Sequence, residues 1–449
     1  MLSSADFFNA YEFKLEHDFE KDGEQPSWAA GGPQSWGSEK AKLSLDADVN
    51  SIAMTQDGSK LAVCLPKEFR VYDTTSLSLL QTVQCPHPPN VSFSPDGEIV
   101  AMQMSFVEDR RYKQFVTLIR LKDGTSEDAF SLLTIKEAAQ SGAAAASAVL
   151  SQRWSDSDIE SAHIVDHFTN ALLNASLIQQ EKHGKCWDGH IPGFGCYPFS
   201  NDGKLLFSIK PDRKTVAVVD VQETLHRGYT ESFSLVGHED AVMFVGQSPD
   251  GKLLATSAWD KFVCLWNPLD GKNIRVLAGA TGQSWAACFS PDSQLIAAGS
   301  GDTHVRIWKT ATGELLHKLG GFTGWIRTMQ FHPEGTHLVT GAEGGTVRVF
   351  EVVSGESVQF WQLAGGRGIG AFLEIPGVRW LGDRILIRIP DGSTVVYDVQ
   401  RHRKWELVAP KPANGRGPYN HYGQPLARFG GKVVYSADHD QAVRVWELD

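Results

Sequence analysis

The residues whose types and spacing could bind a metal lie between positions 183 and 196. They are two histidines and two cysteines, separated by two, three and five other residues: His183, Cys186, His190 and Cys196. This donor set suits tetrahedral Zn²⁺, but the spacing matches no standard zinc finger. We favour a plain loop with incidental His and Cys side chains, with a zinc site as the alternative.

The common short motifs of catalytic and nucleotide-binding sites are absent from the sequence. It contains no GxxxxGK[ST] phosphate loop, no HExxH helix and no GxSxG nucleophile turn. Two Gly-rich runs, GRGIG (366–370) and GRGPYNHYGQP (415–425), do not follow a strand and open a helix, so we interpret both as loops. The sequence therefore predicts a protein that is not an enzyme and needs no cofactor.

Composition and charge indicate which kinds of partner the protein could bind and in which compartment it would be found. The 449 residues carry a net charge of −11, which argues against a broad nucleic-acid footprint. No apolar run is long enough for a transmembrane helix, and the first residues do not resemble a secretory signal. The six cysteines are not tightly paired, which fits reduced thiols and a cytoplasmic or nuclear protein.

The strands that would hold a functional site belong to a sequence unit of 42 residues that repeats along the chain. Three segments beginning at Gly237, Gly279 and Gly321 align without gaps, and their third strands end at Trp266, Trp308 and Phe350. Each segment alternates short β-branched runs with tight turns such as SPDGK, in which Pro, Asp and Gly suit successive turn positions. A period near 40 with several strands per unit is typical of propeller blades.

Weaker copies extend the series in both directions. Each unit has one apolar landmark in its third strand: Tyr72, Ile119, Val219, Trp266, Trp308, Phe350, Tyr397 and Trp446. We therefore favour eight blades, although seven is the commoner number. The last unit ends after its third strand, so we expect residues 41–47 to supply its fourth strand and close the ring, which would leave no open sheet edge.

The sequence resembles the WD-repeat β-propeller family over about residues 41–449, most strongly in blades 4 and 5. The family's naming dipeptide corresponds to Trp266-Asn267, Trp308-Lys309 and Trp446-Glu447, whereas Trp259-Asp260 lies in the turn before the third strand. The resemblance implies an all-β, closed propeller of four-stranded blades. Residues 1–40 form an N-terminal extension in this interpretation.

The resemblance also implies a buried polar network in blade 4. Its members would be His238, Thr256, Asp260 and Trp266. A histidine can bridge a carboxylate and a hydroxyl, and the hydroxyl can accept a bond from the indole N–H. We interpret this His and Asp as structural rather than catalytic.

Blades 5 and 6 depart from that network. Blade 5 keeps Asp302 and Trp308 but has Ala280 and Ala298 where the histidine and threonine would stand. Blade 6 has Phe322, Gly344 and Phe350 at the positions of His238, Asp260 and Trp266. We therefore expect these two blades to depend mainly on apolar packing.

In this family, the residue before the turn aspartate and two first-strand positions lie on the same rim of the ring. In blades 4–6 this rule implies a partner-binding set rich in tryptophan and arginine, two residue types enriched at interface hot spots. The candidates are Met243, Trp259, Gln283, Trp285, Trp325, Arg327 and Glu343. The alternative is that these tryptophans fill the gaps between blades.

An insertion interrupts the repeat at residues 126–193, between blades 2 and 3 in this interpretation. Its second half predicts an amphipathic helix at 158–182, with an apolar stripe from Ile159 to Ala175. The helix either folds back on the ring or docks to a partner as a helix in a groove.

We therefore expect a non-catalytic scaffold, part of a multiprotein complex, that binds a peptide or loop of another protein on the rim of blades 4–6. The helix at 158–182 is a second candidate docking element. The alternatives are a propeller that binds lipid or nucleic acid and, less favoured, a propeller enzyme.

Overall fold

The computed structural model describes thirteen segments of the chain. They are residues 14–15, 27–28, 38–66, 68–84, 90–108, 111–121, 186–192, 197–364, 377–388, 394–407, 426–427, 433–438 and 441–447. These residues form eight sheets, in agreement with the favoured blade number.

The first four blades contain the following strands, given from the inner to the outer edge. Blade 1 has Ser51–Met54, Lys60–Leu65, Glu68–Asp73 and Leu79–Gln84. Blade 2 has Asn90–Phe93, Ile99–Glu108, Arg111–Arg120 and Cys186–Asp188. Blade 3 has Leu205–Ile209, Val216–Asp220 and Glu231–Leu235. Blade 4 has Val242–Gln247, Leu254–Ala258, Val263–Trp266 and Asn273–Leu277.

The remaining blades follow in the same inner-to-outer order. Blade 5 has Ser284–Phe289, Leu295–Ser300, Val305–Lys309 and Leu315–Leu319. Blade 6 has Ile326–Phe331, His337–Ala342, Thr346–Glu351 and Ser357–Ala364. Blade 7 has Gly377–Leu381, Arg384–Arg388, Thr394–Asp398 and Arg403–Leu407. Blade 8 has Leu426–Ala427, Val433–Asp438, Ala442–Glu447 and Ser38–Ser44.

The core is divided into eight apolar clusters, and each cluster is shared by two neighbouring blades. One of them joins Leu61 and Tyr72 of blade 1 to Tyr435 and Val443 of blade 8. The last blade therefore packs against the first as the other neighbours pack against each other. The sheets form a closed ring, the arrangement that makes a propeller stable.

The eight landmark side chains lie in the third strands and are buried. The second and third strands are covered on both faces by neighbouring sheets. Leu254–Ala258 and Val263–Trp266, for example, are buried at every residue. The fourth strands are partly exposed, as in Asn273–Leu277. This burial explains why the inner runs are almost continuously apolar while the outer strands alternate.

The tight turns between first and second strands repeat one hydrogen-bond pattern, shown here for blade 4. The Ser248 hydroxyl donates to Asp250 at 2.7 Å and accepts from the Leu253 N–H at 3.0 Å. Gly251 has a φ of 74°, a left-handed conformation that glycine adopts without strain. The turn thus connects the two strands with its polar groups satisfied.

The N-terminal segment adds strands to the outside of three successive blades. Lys14–Leu15 pairs antiparallel with the outer strand of blade 6, and Ser27–Trp28 pairs parallel with that of blade 7. Ser38–Ser44 then pairs antiparallel with Ala442–Glu447 and completes blade 8. Of the expected strand at 41–47, residues 41–44 belong to this strand, which begins at Ser38 rather than at residue 41.

The described part of the insertion differs from the expectation at its C-terminal boundary. Cys186–Asp188 pairs with the third strand of blade 2 and forms its outer strand, although the sequence assigned it to the insertion at 126–193. The residues between these two strands therefore connect the third and fourth strands of blade 2, whereas the sequence placed them between blades 2 and 3. Three residues were too few to show a periodic strand pattern. The amphipathic helix at 158–182 lies outside the described residues.

The inner edge of blade 3 is irregular. Within its described residues, two isolated bridges join His190 to Ile209 and Phe199 to Leu206. A short helix, Val221–Arg227, precedes the outer strand and is capped by the Asp220 side chain, which accepts a bond from the Glu223 N–H.

Within the described residues, no helix is long and apolar enough to cross a membrane.

Candidate functional site

One end of the ring carries the starts of the first strands together with the turns between second and third strands. In blades 4, 5 and 6, the residue before the turn aspartate position donates its backbone N–H to a carbonyl just before the first strand, at 2.8 Å. These bonds run from Trp259 to Ala241, from Gly301 to Gln283 and from Glu343 to Trp325. The same bond in three blades places the candidate residues side by side on one rim.

Three tryptophans on this rim form a continuous row. The ring centroids of Trp259 and Trp285 are 5.3 Å apart, and those of Trp285 and Trp325 are 5.4 Å apart with an angle of 29° between the planes. These separations are typical of favourable aromatic pairs. We call this row, with the two arginines that stack on it, Arg213 and Arg327, the tryptophan ladder.

The three rings differ in exposure. Trp325 is 39 % exposed and Trp259 is half-buried, but Trp285 is only 6 % exposed. The flanking rings and the Arg327 guanidinium, which lies 3.8 Å from the ring centroid, cover Trp285. Trp285 therefore supports its neighbours rather than presenting a free face, so the gap-filling interpretation applies to this one member of the set.

Arg327 is held from two sides. Its guanidinium stacks on Trp285 and lies 5.1 Å from the Trp325 centroid. It also donates two hydrogen bonds to the Glu343 carboxylate, one of them from Nε at 2.8 Å. Both ion-pair side chains are mostly buried. Cation–π stacking and a charge-assisted pair together fix Arg327 and compensate its charge.

Arg213 extends the ladder onto blade 3, where the sequence predicted no site residue. Its guanidinium carbon lies 5.4 Å from the Trp259 centroid, and its carbonyl accepts the Val242 N–H at 2.8 Å. Arg213 has a φ of 63°, and Lys261 occupies the same left-handed turn position in blade 4. The alignment of Pro211-Asp212-Arg213 with Trp259-Asp260-Lys261 was the signal that could have identified it.

The charge of Arg213 also acts on the inner edge of blade 3. Burial and the nearby Arg213 guanidinium lower the pKa of His190 from 6.5 to about 4. His190 is consequently neutral near pH 7, and the cationic group of this pair is the Arg213 guanidinium. The blade 3 end of the ladder therefore carries a cation at the surface.

Met243 and Gln283 are half-buried on the same rim. Gln283 contributes its carbonyl to the bond from Gly301, and Met243 lies in the first strand of blade 4. Within the described part of the chain, neither side chain makes a ring contact or hydrogen bond to the ladder. The structure thus brings together Trp259, Trp285, Trp325, Arg327 and Glu343 and leaves these two beside the group.

Comparison with known families identifies the blades that carry the ladder. The family model for the WD domain, G-beta repeat, matches residues 229–267, 271–309 and 313–351, and each of these repeats contributes one ladder tryptophan. Three blades of this eight-bladed propeller are WD repeats. A 41-residue stretch is also 49 % identical to Ribosome assembly protein 4 of Chaetomium thermophilum, covering 9 % of this chain and 8 % of that protein.

The WD repeat of blade 4 contains the buried polar network as a chain of hydrogen bonds. His238 lies 2.7 Å from Asp260 and 2.6 Å from the Thr256 hydroxyl, which accepts the Trp266 indole N–H at 2.9 Å. Burial raises the pKa of Asp260, but the bonds from His238 and two backbone N–H groups outweigh it and lower the pKa overall. All four groups are satisfied within the blade, which suits a structural role.

The expectation that blade 5 depends mainly on apolar packing is wrong, because a buried ion pair takes the place of the network. Arg306 donates two hydrogen bonds to Asp302, at 3.0 and 2.7 Å, and Asp302 also accepts the Thr281 N–H at 2.8 Å. Arg306 is 2 % exposed. Correspondence with the four network positions of blade 4 does not reveal this arginine, which lies two residues before the landmark Trp308.

In blade 6, Thr340 keeps the threonine position of the network, and its hydroxyl donates to the Arg348 carbonyl at 3.1 Å. Phe322 and Phe350 contact each other where blade 4 has His238 and Trp266, with ring centroids 6.0 Å apart. This WD repeat therefore does depend on apolar packing.

The candidate zinc ligands are not described as one site. Cys186 is buried in the outer strand of blade 2, His190 bridges to Ile209 in blade 3, and His183 and Cys196 lie outside the described residues. Among the residues that the structure describes, no group of three or more His, Cys, Asp or Glu side chains is arranged to hold a metal ion.

Proposed function

We propose that this WD-repeat propeller is a non-catalytic scaffold that binds a peptide or loop of a partner protein on the tryptophan ladder. The observation that supports this proposal is the ladder itself, a row of stacked Trp and Arg side chains with Trp325 exposed at one end. Rigid aromatic groups lose little conformational entropy on binding and are enriched at interface hot spots.

Membership of a multiprotein complex is part of the proposal. WD repeats of this kind typically bind other proteins, and Cys64, Cys264 and Cys288 are free thiols, as in proteins of the cytoplasm or nucleus. The similarity to Ribosome assembly protein 4 spans about one repeat. It supports the identity of the repeat and does not specify the complex.

Substitution of Trp325 by alanine tests the site. Trp325 is 39 % exposed and lies at the end of the row. We therefore expect Trp325→Ala to fold and to lose at least about 90 % of partner capture, since hot-spot truncations cost about 2 kcal/mol or more. Capture from a cell extract, quantified by mass spectrometry, measures this. Val353→Ala is the matched control, because Val353 is exposed on the same blade at the opposite end of the ring.

The set of proteins captured by Trp325→Ala should therefore be depleted of specific partners, whereas Val353→Ala should capture the same set as the wild type. Equal capture by both variants, with unchanged thermal stability, would show that the partner binds elsewhere on the propeller.

A further inference from the structure

The two ends of the tryptophan ladder differ in charge. At the blade 6 end, Glu343 already compensates Arg327. At the blade 3 end, Arg213 is exposed and stacks on Trp259, and within the described residues no carboxylate lies within 4 Å of it. An exposed arginine held by a turn and by an aromatic face is suited to pair with a carboxylate.

Two acidic side chains of blade 3, Asp212 and Glu231, already have hydrogen-bond partners. Asp212 accepts bonds from the Lys214 N–H and from both the N–H and hydroxyl of Thr215. Glu231 accepts from Lys210 at 2.9 Å and from the Tyr229 hydroxyl at 2.8 Å. Neither carboxylate is therefore available to compensate Arg213 without breaking its own bonds.

The other end presents an apolar face because of Gly301. Gly301 occupies the rim position that Trp259 has in blade 4 and Glu343 has in blade 6. A Cβ at this position would lie 3.5 Å from the Trp325 indole nitrogen, in ordinary contact, and its φ does not require glycine. The absence of a side chain at 301 leaves the Trp325 ring uncovered on this side.

The distance between the ends sets the length of the ligand. From Arg213 to Trp325 the ladder takes three steps of 5.4, 5.3 and 5.4 Å. An extended peptide advances about 3.3 Å per residue, so it covers this span in at most about five residues.

We propose that the ladder binds an extended acidic peptide segment, with an Asp or Glu carboxylate on Arg213 and a large apolar side chain on Trp325, separated by at most about five residues. This inference rests on the proposed function, since it specifies the ligand of the same rim. The carboxylate fixes the direction of the segment, and the apolar residue supplies buried area.

The probe is a phage-displayed library of random 12-residue peptides, selected on the full chain. We expect the selected peptides to share an acidic and an apolar residue at the stated spacing. Synthetic copies should bind about tenfold more weakly when the acid is changed to its amide, as expected for loss of one charge-assisted pair. Fluorescence anisotropy measures these affinities.

Three variants test which ladder residues contact the acidic and the apolar side chains of the peptide. Arg213→Gln should remove the preference for the acid over its amide, while Lys214→Gln, which removes the neighbouring exposed cation of the same turn, should retain it. Gly301→Leu should weaken binding at least about tenfold by covering Trp325, because the added side chain fills the apolar contact. Thermal unfolding of each variant checks that the fold is unchanged.

The outcomes separate this inference from the proposed function. Peptides that depend on Trp325 but bind equally as acid and amide would overturn the acidic preference and leave the docking site in place. An equal effect of Lys214→Gln and Arg213→Gln would also overturn it, since a general positive charge would then suffice. Failure to select any peptide overturns the inference, and the Trp325→Ala capture experiment then decides the proposed function independently.

Discussion

At the scale of single residues, Thr256 connects the blade 4 network, because its buried hydroxyl contacts both His238 and Trp266. We expect Thr256→Val to cost about 3 kcal/mol of unfolding free energy, since it leaves two buried polar groups without a partner. Thr340→Val is the matched control: it is equally buried in blade 6 but loses one bond to a carbonyl, so about 1 kcal/mol is expected. Urea unfolding measures both, and equal losses would contradict a network role for Thr256.

His190 makes stability depend on pH. Its pKa is about 4 in the folded protein and 6.5 in a free side chain, so the unfolded chain binds more protons between these values. Stability should therefore fall as the pH falls from 6.5 to 4. His190→Gln should lose less of its stability over the same range, measured by urea midpoints at pH 7, 5.5 and 4.5. Parallel losses in the two proteins would exclude His190 as the source.

Residue identities were predicted best where blades are most alike. The hydrogen-bonded set His238, Thr256, Asp260 and Trp266 follows from one repeat aligned with a family pattern. Arg213 was overlooked because blade 3 has diverged and because cation–π contact depends on the distance between neighbouring blades. The burial of Trp285 depends equally on side chains from two other blades, which a periodicity within one repeat does not report.

At the scale of the element, blade 5 shows that one repeat position can be stabilised by a different interaction. Burial favours a raised pKa for Asp302, but the bonds from Arg306 and Thr281 hold it well below the usual range. The stability that this pair contributes is present near neutral pH and is lost as acid protonates Asp302.

Removal of one partner tests the pair. We expect Arg306→Met to destabilise the protein by about 3 kcal/mol at pH 7, because it leaves a mostly buried carboxylate without its cation. The double variant Asp302→Asn with Arg306→Met should recover part of that loss, since no buried charge remains. Urea unfolding gives the coupling between the two changes, and strictly additive losses would argue against a direct interaction.

The boundaries of most strands could be predicted from the residue types in the turns, and the places where this failed have a physical explanation. SPDG-type turns and β-branched runs predicted the strands of blades 4–6, where each turn residue has the hydrogen bonds that its type favours. Cys186–Asp188 was assigned to the insertion because a strand of three residues has no measurable period. The described inner edge of blade 3 likewise contains Pro192 and Pro198, which lack the backbone N–H used in strand pairing and so obscure a strand pattern in the sequence.

At the scale of the whole molecule, the fold class and the number of blades could be predicted from the sequence. Each blade has one landmark side chain in its third strand, so the number of landmarks gives the number of sheets. How the ring closes is a property of the entire chain, since Ser38–Ser44 completes a sheet formed by Val433–Asp438 and Ala442–Glu447. Apolar packing between blades 8 and 1 supports the same closure.

Two truncations isolate that closing strand. Removal of residues 1–44 takes away the outer strand of blade 8, whereas removal of residues 1–37 leaves it intact. We expect the longer truncation to lower Tm by roughly 5 °C or more relative to the shorter one and to increase aggregation, because it exposes a sheet edge. Calorimetry and light scattering measure these effects; identical Tm values would mean that the strand contributes little to the ring.

The pairing of Ser38–Ser44 with Ala442–Glu447 also orders events during synthesis. At translation rates of about 5–20 residues per second, the earlier segment leaves the ribosome roughly 20 to 80 s before its partner. Throughout that interval a nascent chain holds consecutive blades in an open arc with an unsatisfied β-strand at its start. A chain whose synthesis ends before Ala442 therefore keeps an unpaired sheet edge, which makes it a ready substrate for chaperones and proteases.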